Sequence, residues 1–219
     1  MKLSINLFRT LDGVSQGPGS AQEDPREGFT NGGWLMPVFD EGVGEAVNRW
    51  FENCDALLLG RRTYDTFASH WPQVADPADP VAATINSAHK YVVTSTELRD
   101  DVWAESTTVL GDDFLDSIRE LKQSPAEGEL QVHGSVKLAR TLHETGLVDL
   151  YRFVVAPVVV GRGAGIFGDD SPAHTMRVTR SAVTPNGCLA VELVPGDFRN
   201  DLTAAVQDGQ DVIRPADEL

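Results

Sequence analysis

The sequence has few cysteines, few basic residues and no long apolar run. Cys54 and Cys188 are its only cysteines, too few for a disulfide framework, so a reducing compartment is expected. No apolar stretch approaches the roughly 20 residues of a membrane-spanning helix. The first eight residues are too short and too polar for the apolar core of a secretory signal. We therefore expect a cytoplasmic protein with no membrane partner.

The shortage of basic residues restricts the class of partner. The chain has 18 Lys and Arg residues against 33 Asp and Glu residues, which gives a net charge of −15. Proteins that bind nucleic acid gain most of their affinity from basic contacts to phosphate, so no nucleic-acid partner is expected. Any anionic ligand must instead be held by a local group of arginines, against the overall field of the protein.

Two common catalytic signatures find no support. The five histidines show no spacing typical of metal ligands: His70, His89, His133, His143 and His174. The run Gly13-Val14-Ser15-Gln16-Gly17 fits the Gly-x-Ser-x-Gly pattern of a nucleophilic serine, but the Gly- and Pro-rich residues after it do not indicate the helix that this motif requires. These observations favour metal-free, non-covalent chemistry. Hydride transfer is one such reaction, since it needs a positioned nicotinamide and a substrate pocket.

The apolar pattern predicts strands that alternate with helices. Strands are expected at 2–8, 56–59, 90–95, 107–111, 129–133 and 148–160, and helices at 40–53, 61–70, 112–123 and 136–142. This alternation indicates a mostly parallel central sheet covered by helices on both faces. The segments 174–184 and 188–194, joined by Pro185-Asn186-Gly187, indicate an antiparallel pair at the C-terminal edge.

The remaining segments are predicted to be loops. Residues 14–34 are rich in Gly and Pro, and we expect a mobile flap beside a site. Residues 72–82 contain three prolines and are expected to form a second loop. The run 161–168 has the glycines of a dinucleotide-binding turn, but the next residues do not indicate a helix, so we expect a flexible loop beside the substrate site. We predict one domain over 1–196 and a loosely packed acidic tail over 197–219.

Three predicted strand ends carry residues suited to a phosphorylated ligand. In parallel sheets ligands bind at the carboxyl ends of the strands, where helix N-termini present free N–H groups. The alternative reading of the first strand end is an ordinary helix cap with two solvated arginines, and the other two are weak signals in isolation. The candidate residues are Gly60, Arg61, Arg62 and Thr63 after the second strand, Thr94 and Ser95 after the third, and Gly134 and Ser135 after the fifth.

Four motifs in this order resemble the dihydrofolate reductase-like superfamily. They are Leu11-Asp12-Gly13, Leu59-Gly60-Arg61-Arg62-Thr63-Tyr64, Val92-Val93-Thr94-Ser95 and Val132-His133-Gly134-Ser135. The branch with the greatest similarity contains the C-terminal reductase domain of bifunctional riboflavin-biosynthesis deaminase/reductases. The resemblance covers residues 1–195 and implies a three-layer α/β/α fold.

The resemblance also implies NADPH as cofactor. Gly60, Arg61, Arg62 and Thr63 would hold its phosphates, and Thr94 and Ser95 would lie near the adenosine end and its 2′-phosphate. Gly134 and Ser135 would cradle the diphosphate. Asp12 and Gly13, with the 14–34 loop, would border the nicotinamide, and the chain would form a homodimer.

The expected function is that of an NADPH-dependent reductase. It would deliver hydride to a C=N or C=O bond of a small heterocyclic or sugar-derived substrate, in the manner of a 5-amino-6-(5-phosphoribosylamino)uracil reductase. Asp40 and Glu41 are the candidates for a proton-relay carboxylate. Two alternatives stay open at this point: a true dihydrofolate or pterin reductase, and a non-catalytic NADP-binding oligomeric module.

Overall fold

The molecule is built around an eight-stranded sheet. The computed structural model describes residues 1–98, 102–169 and 171–216. The strands lie in the order β4-β3-β2-β5-β1-β6-β8-β7. They are β1 (Lys2–Thr10), β2 (Cys54–Gly60), β3 (His89–Val93), β4 (Thr107–Leu110), β5 (Glu129–His133), β6 (Leu150–Ala156), β7 (His174–Val183) and β8 (Leu189–Asp197).

Strands β1 to β6 pair in parallel, whereas β8 runs antiparallel to β6 and β7 antiparallel to β8. The predicted parallel sheet with an antiparallel C-terminal edge is therefore confirmed. In the described part of the chain, five α-helices lie on the two faces of the sheet: α1 (Glu41–Phe51), α2 (Arg61–His70), α3 (Pro80–Ser87), α4 (Phe114–Lys122) and α5 (Val136–Glu144).

Two apolar cores explain the layering. Successive side chains of a strand point to opposite faces, so Leu57 and Leu59 of β2 join one core while Ala56 and Leu58 join the other. The first core contains the apolar residues of α1, α2 and α3, and the second contains those of α4 and α5. The architecture is thus a three-layer α/β/α sandwich.

Helix α3 corrects one expectation. Residues 80–82, assigned to a loop, begin α3: Asp79 accepts hydrogen bonds from the N–H groups of Val81 and Ala82, and Pro80 occupies the first turn. The tail contains strands β9 (Leu202–Gln207) and β10 (Gln210–Pro215), which pair as a separate hairpin. The sequence indicated no strands there, and the loose packing of the tail stays a prediction.

The loop over residues 14–34 is tied down by hydrogen bonds and apolar packing. Trp34 is buried and its Nε1 donates to the carbonyl of Gln16 at 2.8 Å. The N–H of Gly33 donates to the carbonyl of Gly17, and the N–H of Ser15 to that of Ala164. The segment thus has a defined shape held against the 161–168 loop. Within the described residues, no helix is long and apolar enough to cross a membrane.

Candidate functional site

Two strand-to-helix turns meet at the carboxyl ends of β2 and β5. Gly60 ends β2 and its N–H donates to Ser135 Oγ at 2.9 Å. In the reverse direction, the N–H of Ser135 donates to Thr63 Oγ1 at 3.0 Å. The structure therefore brings Gly60 and Thr63 into contact with Ser135. Ser135 lies 75 residues after Gly60 and 72 residues after Thr63 in the chain.

The backbone of the second turn has an uncommon conformation. Gly134 and Ser135 are both left-handed, with φ of +56° and +49°. Helix α5 begins immediately after them, so the first N–H groups of α2 and α5 lie at the same edge of the sheet. Unpaired N–H groups at a helix N-terminus attract anions.

The close approach of the two turns depends on glycine. A Cβ atom at Gly134 would lie 3.3 Å from two side-chain atoms of Thr63, and one at Gly60 would lie 3.5 Å from Ser135 Oγ. The turns therefore pack tightly, and a side chain at Gly134 would push them apart. This geometry fits a group that lies directly on backbone, such as a diphosphate.

Arg61 connects this pair of turns to a groove after β3. Its guanidinium donates to Asp65 at 2.9 Å, to Thr96 Oγ1 at 2.9 Å and to the carbonyl of Glu97 at 2.7 Å. Arg61 thus holds the loop over residues 94–97, whereas the neighbouring Arg62 is exposed. Of the two arginines, Arg62 is the one whose charge faces solvent.

The groove after β3 has a volume of about 670 Å³. Thr94 and Ser95 line it together with Val109 and Gly111 at the end of β4, and their contact with a cofactor stays a prediction. Thr94 Oγ1 accepts a hydrogen bond from the N–H of Thr96, which closes a tight turn. The groove is lined by hydroxyl groups, by apolar residues and by Glu97 and Asp112. Its hydroxyl and apolar parts suit a nucleoside.

Asp12 has a structural environment that the sequence did not predict. Its carboxylate accepts hydrogen bonds from Thr10 Oγ1 at 2.5 Å and from the N–H groups of Gly161 and Val160 at 2.7 and 3.2 Å. The Thr10 hydroxyl and then these N–H groups hold the pKa of Asp12 below its usual value. Asp12 therefore fixes the loop that follows β6, and its contact with a nicotinamide stays a prediction.

The glycine-rich segment 161–168 serves packing. A Cβ atom at Gly163 would lie 2.6 Å from Val14 and 3.0 Å from Phe29, and Gly165 packs against the carbonyl of Gly13. No helix follows the segment in the described residues, which agrees with the rejection of a dinucleotide-binding turn there. Its glycines let this loop lie directly on the 14–34 loop.

Asp40 and Glu41 lie at the start of α1, apart from the turns. Asp40 caps the helix: one carboxylate oxygen accepts from the N–H of Val43 at 2.9 Å, and the other from the N–H of Asn186 at 2.6 Å. Desolvation raises the pKa of Asp40, but these hydrogen bonds outweigh it and leave the pKa below its usual value. Glu41 is exposed and lines a second groove, of about 400 Å³, between α1 and the β7–β8 pair. Their proton-relay role stays a prediction.

A buried polar network under α1 was not predicted. Arg152 donates to both carboxylate oxygens of Glu129 at 2.7 Å and to Asn6 at 3.1 Å. Ser4 Oγ also donates to Glu129, at 2.8 Å. Burial alone raises the pKa of Glu129, but the Arg152 guanidinium more than compensates and holds it below its usual value. The only sequence signal is the alternation of polar residues along strands otherwise filled with apolar ones.

The network ends at His133, the residue before the second turn. Gln131 Nε2 donates to the carbonyl of Trp50 and to Glu129, so its Oε1 accepts from His133 Nε2 at 2.9 Å. The ring of His133 stacks on Phe51, with centroids 4.3 Å apart. Burial, with a smaller effect of Arg152, lowers the pKa of His133 to about 3. A neutral, fixed imidazole therefore supports the strand that leads into Gly134.

No group of three or more His, Cys, Asp or Glu side chains in the described part of the chain could hold a metal ion. The site offers instead backbone N–H groups, one exposed guanidinium, hydroxyls and a groove. These are binding groups for a phosphorylated nucleotide. They include no nucleophile activated by a base.

Comparisons with known proteins agree with this geometry. The chain is 24% identical over 192 residues to the uncharacterized protein YyaP of Bacillus subtilis (strain 168), an alignment that covers 87% of this chain and 93% of YyaP. Its fold is similar to that of a Shewanella sp. PV-4 protein assigned to riboflavin biosynthesis (TM-score 0.64, 19% identity, 90% of this chain and 99% of the other). It is also similar to Enterococcus faecalis dihydrofolate reductase, solved with NADP(H) (TM-score 0.57, 13% identity, 90% and 97% coverage).

These structural similarities confirm the expected dihydrofolate reductase-like α/β fold. The model of the RibD C-terminal domain matches residues 1–190, which is most of the chain. This family is of the reductase type, as the sequence motifs indicated. The chain therefore belongs to the RibD C-terminal domain family.

Proposed function

We propose that this protein is an NADPH-dependent reductase of a small heterocyclic or sugar-derived compound. The observation that carries the proposal is the contact between the two glycine turns, in which Gly60, Thr63 and Ser135 hold each other in place. They present two helix N-termini and the left-handed pair Gly134-Ser135 at one edge of the sheet. The family match and the NADP(H)-bound neighbour support the same reading.

The residues present fit the parts of NADPH. The backbone N–H groups around Gly134 suit the diphosphate, and the groove beside Thr94 and Ser95 suits the adenosine. Arg62 is exposed and follows Arg61, which binds the loop that lines the groove, and we assign Arg62 to the 2′-phosphate. Arg61 acts indirectly, because it holds the loop that forms one wall of the groove. When bound, NADPH would supply the hydride.

We infer that the substrate carries a C=N or C=O bond, as in the reductases of this family. A hydride acceptor of this kind also needs a proton. Glu41 or Asp40 is our candidate for its relay, although Asp40 already binds two backbone N–H groups. Replacement of Asp40 by Asn should keep the helix cap, because Asn caps as well as Asp, but it removes the acceptor of the Asn186 N–H. If the turnover number stays unchanged in both Asp40→Asn and Glu41→Gln, neither residue relays the proton.

We place the reaction in the cytoplasm. Cys54 and Cys188 are both unpaired thiols, and such thiols persist in reducing compartments. Burial raises the pKa of Cys54 to about 12, so this thiol is a poor nucleophile at neutral pH.

The proposal is tested by the affinity for NADPH and NADH in a matched set of variants. We expect Arg62→Ala to weaken the binding of NADPH by about tenfold or more. The binding of NADH should change little, because only NADPH has the 2′-phosphate. Arg61→Ala should weaken both cofactors, because it releases the loop over 94–97. Arg119→Ala is the control: this arginine of α4 is exposed and pairs only with Asp116.

The reaction itself is tested by oxidation of NADPH in the presence of pyrimidines, pterins and carbonyl compounds. Turnover of a pyrimidine or sugar-derived substrate supports the proposal. If dihydrofolate is the only compound reduced, the protein is a pterin reductase and the proposed substrate class is wrong. Tight NADPH binding with no oxidation across the set would leave a non-catalytic binding module.

A further inference from the structure

A groove lies between α1 and the β7–β8 pair, on the side of the sheet that faces the first core. Its volume of about 400 Å³ is within the range of small-molecule sites. We call it the α1 groove. Helix α1 supplies Glu41, Glu45 and Arg49 to it, and the two strands supply Arg180 and Glu192. The α1 groove therefore carries charge of both signs, and the proposed cofactor contacts do not use it.

Small residues create the α1 groove. Near the start of α1, a Cβ atom at Gly42 would lie 3.0 Å from Thr184 Cβ, so the helix touches the end of β7 there. One turn later, Ala46 of α1 lines the groove together with Ala182 and Ala190 of the strands. Because alanine side chains are short, they leave an apolar space between the charged groups of the helix and those of the sheet.

Glu192 is held by arginines of the protein itself. Its carboxylate oxygens lie 3.9 Å from Arg152 Nε and 3.5 Å from Arg180 Nε. Arg152 is buried and is fixed in turn by Glu129, with both N–O distances at 2.7 Å. Glu192 is therefore neutralised from inside the protein, and this side of the groove is already organised before any ligand enters it.

Glu45 and Arg49 keep their charges for a ligand. They are four residues apart on α1 with the acid first, which favours an ion pair on a helix. Asp116 and Arg119 form such a pair on α4, at 2.6 Å. In the described part of the chain, the side chains of Glu45 and Arg49 form no ion pair and no hydrogen bond. They therefore present one negative and one positive group to the same groove.

We propose that the α1 groove binds a free α-amino acid with an apolar side chain. Its carboxylate pairs with Arg49 and with Arg180 on the opposite wall, and its ammonium pairs with Glu45. Cβ atoms four residues apart on a helix are about 5–6 Å apart, which the adjacent ammonium and carboxylate of one amino acid can bridge. The apolar side chain packs on the alanines. A ligand with a single charge would leave Glu45 or Arg49 unpaired.

The α1 groove is separate from the proposed cofactor site. The two glycine turns follow β2 and β5, whereas the groove lies against β8 and β7, and β1 and β6 lie between them. At about 4.8 Å from strand to strand, β5 and β8 are about 14 Å apart. An amino acid in the groove therefore does not occupy the NADPH turns, and the inference does not depend on the proposed function.

Thermal unfolding with three amino acids and their singly charged analogues tests the charge pairing. The probes are L-valine, L-leucine and L-phenylalanine, each with the acid that lacks its amino group and the amine that lacks its carboxyl group. At least one amino acid should raise the melting temperature in a saturable manner. Both of its analogues should bind at least about tenfold more weakly. No stabilisation by any of the three up to about 10 mM would overturn the proposal. An acid that binds as tightly as its amino acid would also overturn it, because the groove would then recognise an anion alone.

Two variants locate the bound amino acid. Arg49→Ala and Glu45→Gln should each weaken its binding by at least about tenfold in calorimetric titration. Arg119→Ala and Glu120→Gln are the matched controls, since they remove the same charges from exposed positions of α4, which packs on the other core. Both controls should bind the amino acid as the wild type does. Binding that survives intact in the two groove variants would overturn the proposal, and so would an equal loss in the controls.

Discussion

Gly134→Ala separates the cofactor role of the second turn from its role in stability. Gly134 has φ of +56°, and a Cβ atom there would lie 3.3 Å from Thr63 Cγ2 and Oγ1. The left-handed conformation itself costs an alanine about 1–2 kcal/mol. The contact with Thr63 adds to this, because one of the two turns must shift by a few tenths of an ångström.

Gly146→Ala is the matched control for this variant. Gly146 follows the other end of α5, has φ of +67°, and has no atom within 4 Å of the position of a new Cβ. Gly146→Ala should therefore lower the free energy of unfolding by the same amount, about 1–2 kcal/mol, through the left-handed strain alone. Its turn is remote from Thr63, so NADPH affinity should be unchanged.

The assay combines urea unfolding with calorimetric titration of NADPH on the folded variants. We expect Gly134→Ala to bind NADPH about tenfold more weakly, an effect of about 1.4 kcal/mol, and Gly146→Ala to bind it as the wild type does. Equal NADPH affinity in the two folded variants would refute the assignment of Gly134 to the diphosphate.

Three further predictions concern the fold around the site. Arg152→Met should lower the free energy of unfolding, measured by urea titration, by about 3–5 kcal/mol, because it leaves Glu129 buried and unpaired. The double variant Arg152→Met/Glu129→Met should recover much of that loss. Since the folded-state pKa of Glu129 is depressed, its contribution should be present above about pH 4.3 and vanish as pH falls through the folded-state pKa. Urea titrations over pH should show this loss in the wild type but not in Glu129→Gln. Gly163→Ala should reduce the melting temperature by several degrees more than Gly161→Ala, whose Cβ would meet nothing within 4 Å; similar melting temperatures would contradict the packing role of Gly163.

The elements around the cofactor turns were predictable because their signals are local. A run of leucines ending in Gly60 and followed by polar helix formers places the β2–α2 boundary within a residue of the observed one. The same reasoning gives β5 with its observed bounds and locates the β7–β8 pair through Asn186-Gly187. In each case residues near in sequence determine the structure.

Composition concealed the local signals for α3 and for the C-terminal hairpin. Prolines made 72–82 resemble a loop, yet Asp79 followed by Pro80 is also a good helix start, with a capping carboxylate and a fixed φ in the first turn. The tail over 197–219 was predicted to be loosely packed because its sequence is polar and acidic. Asp208-Gly209, with φ of +51° and +76°, is a strong hairpin turn between alternating apolar residues.

The contacts that define the site could not be derived from the sequence. The reciprocal hydrogen bonds of Thr63 and Ser135 join residues 72 positions apart, and only the strand order β2-β5 brings them together. Arg61 and Arg62 look equivalent in the sequence. The structure separates them, because Arg61 is engaged by Asp65, Thr96 and Glu97 while Arg62 is exposed.

Calorimetric titration of the wild-type chain with NADPH, and then with NADH, shows directly whether this protein binds the phosphorylated cofactor. We expect saturable binding of one NADPH per chain in the micromolar range, with NADH bound at least about tenfold more weakly because it lacks the 2′-phosphate. No NADPH binding up to high micromolar concentration would contradict the proposed cofactor. Equal affinity for the two nucleotides would contradict the assignment of Arg62.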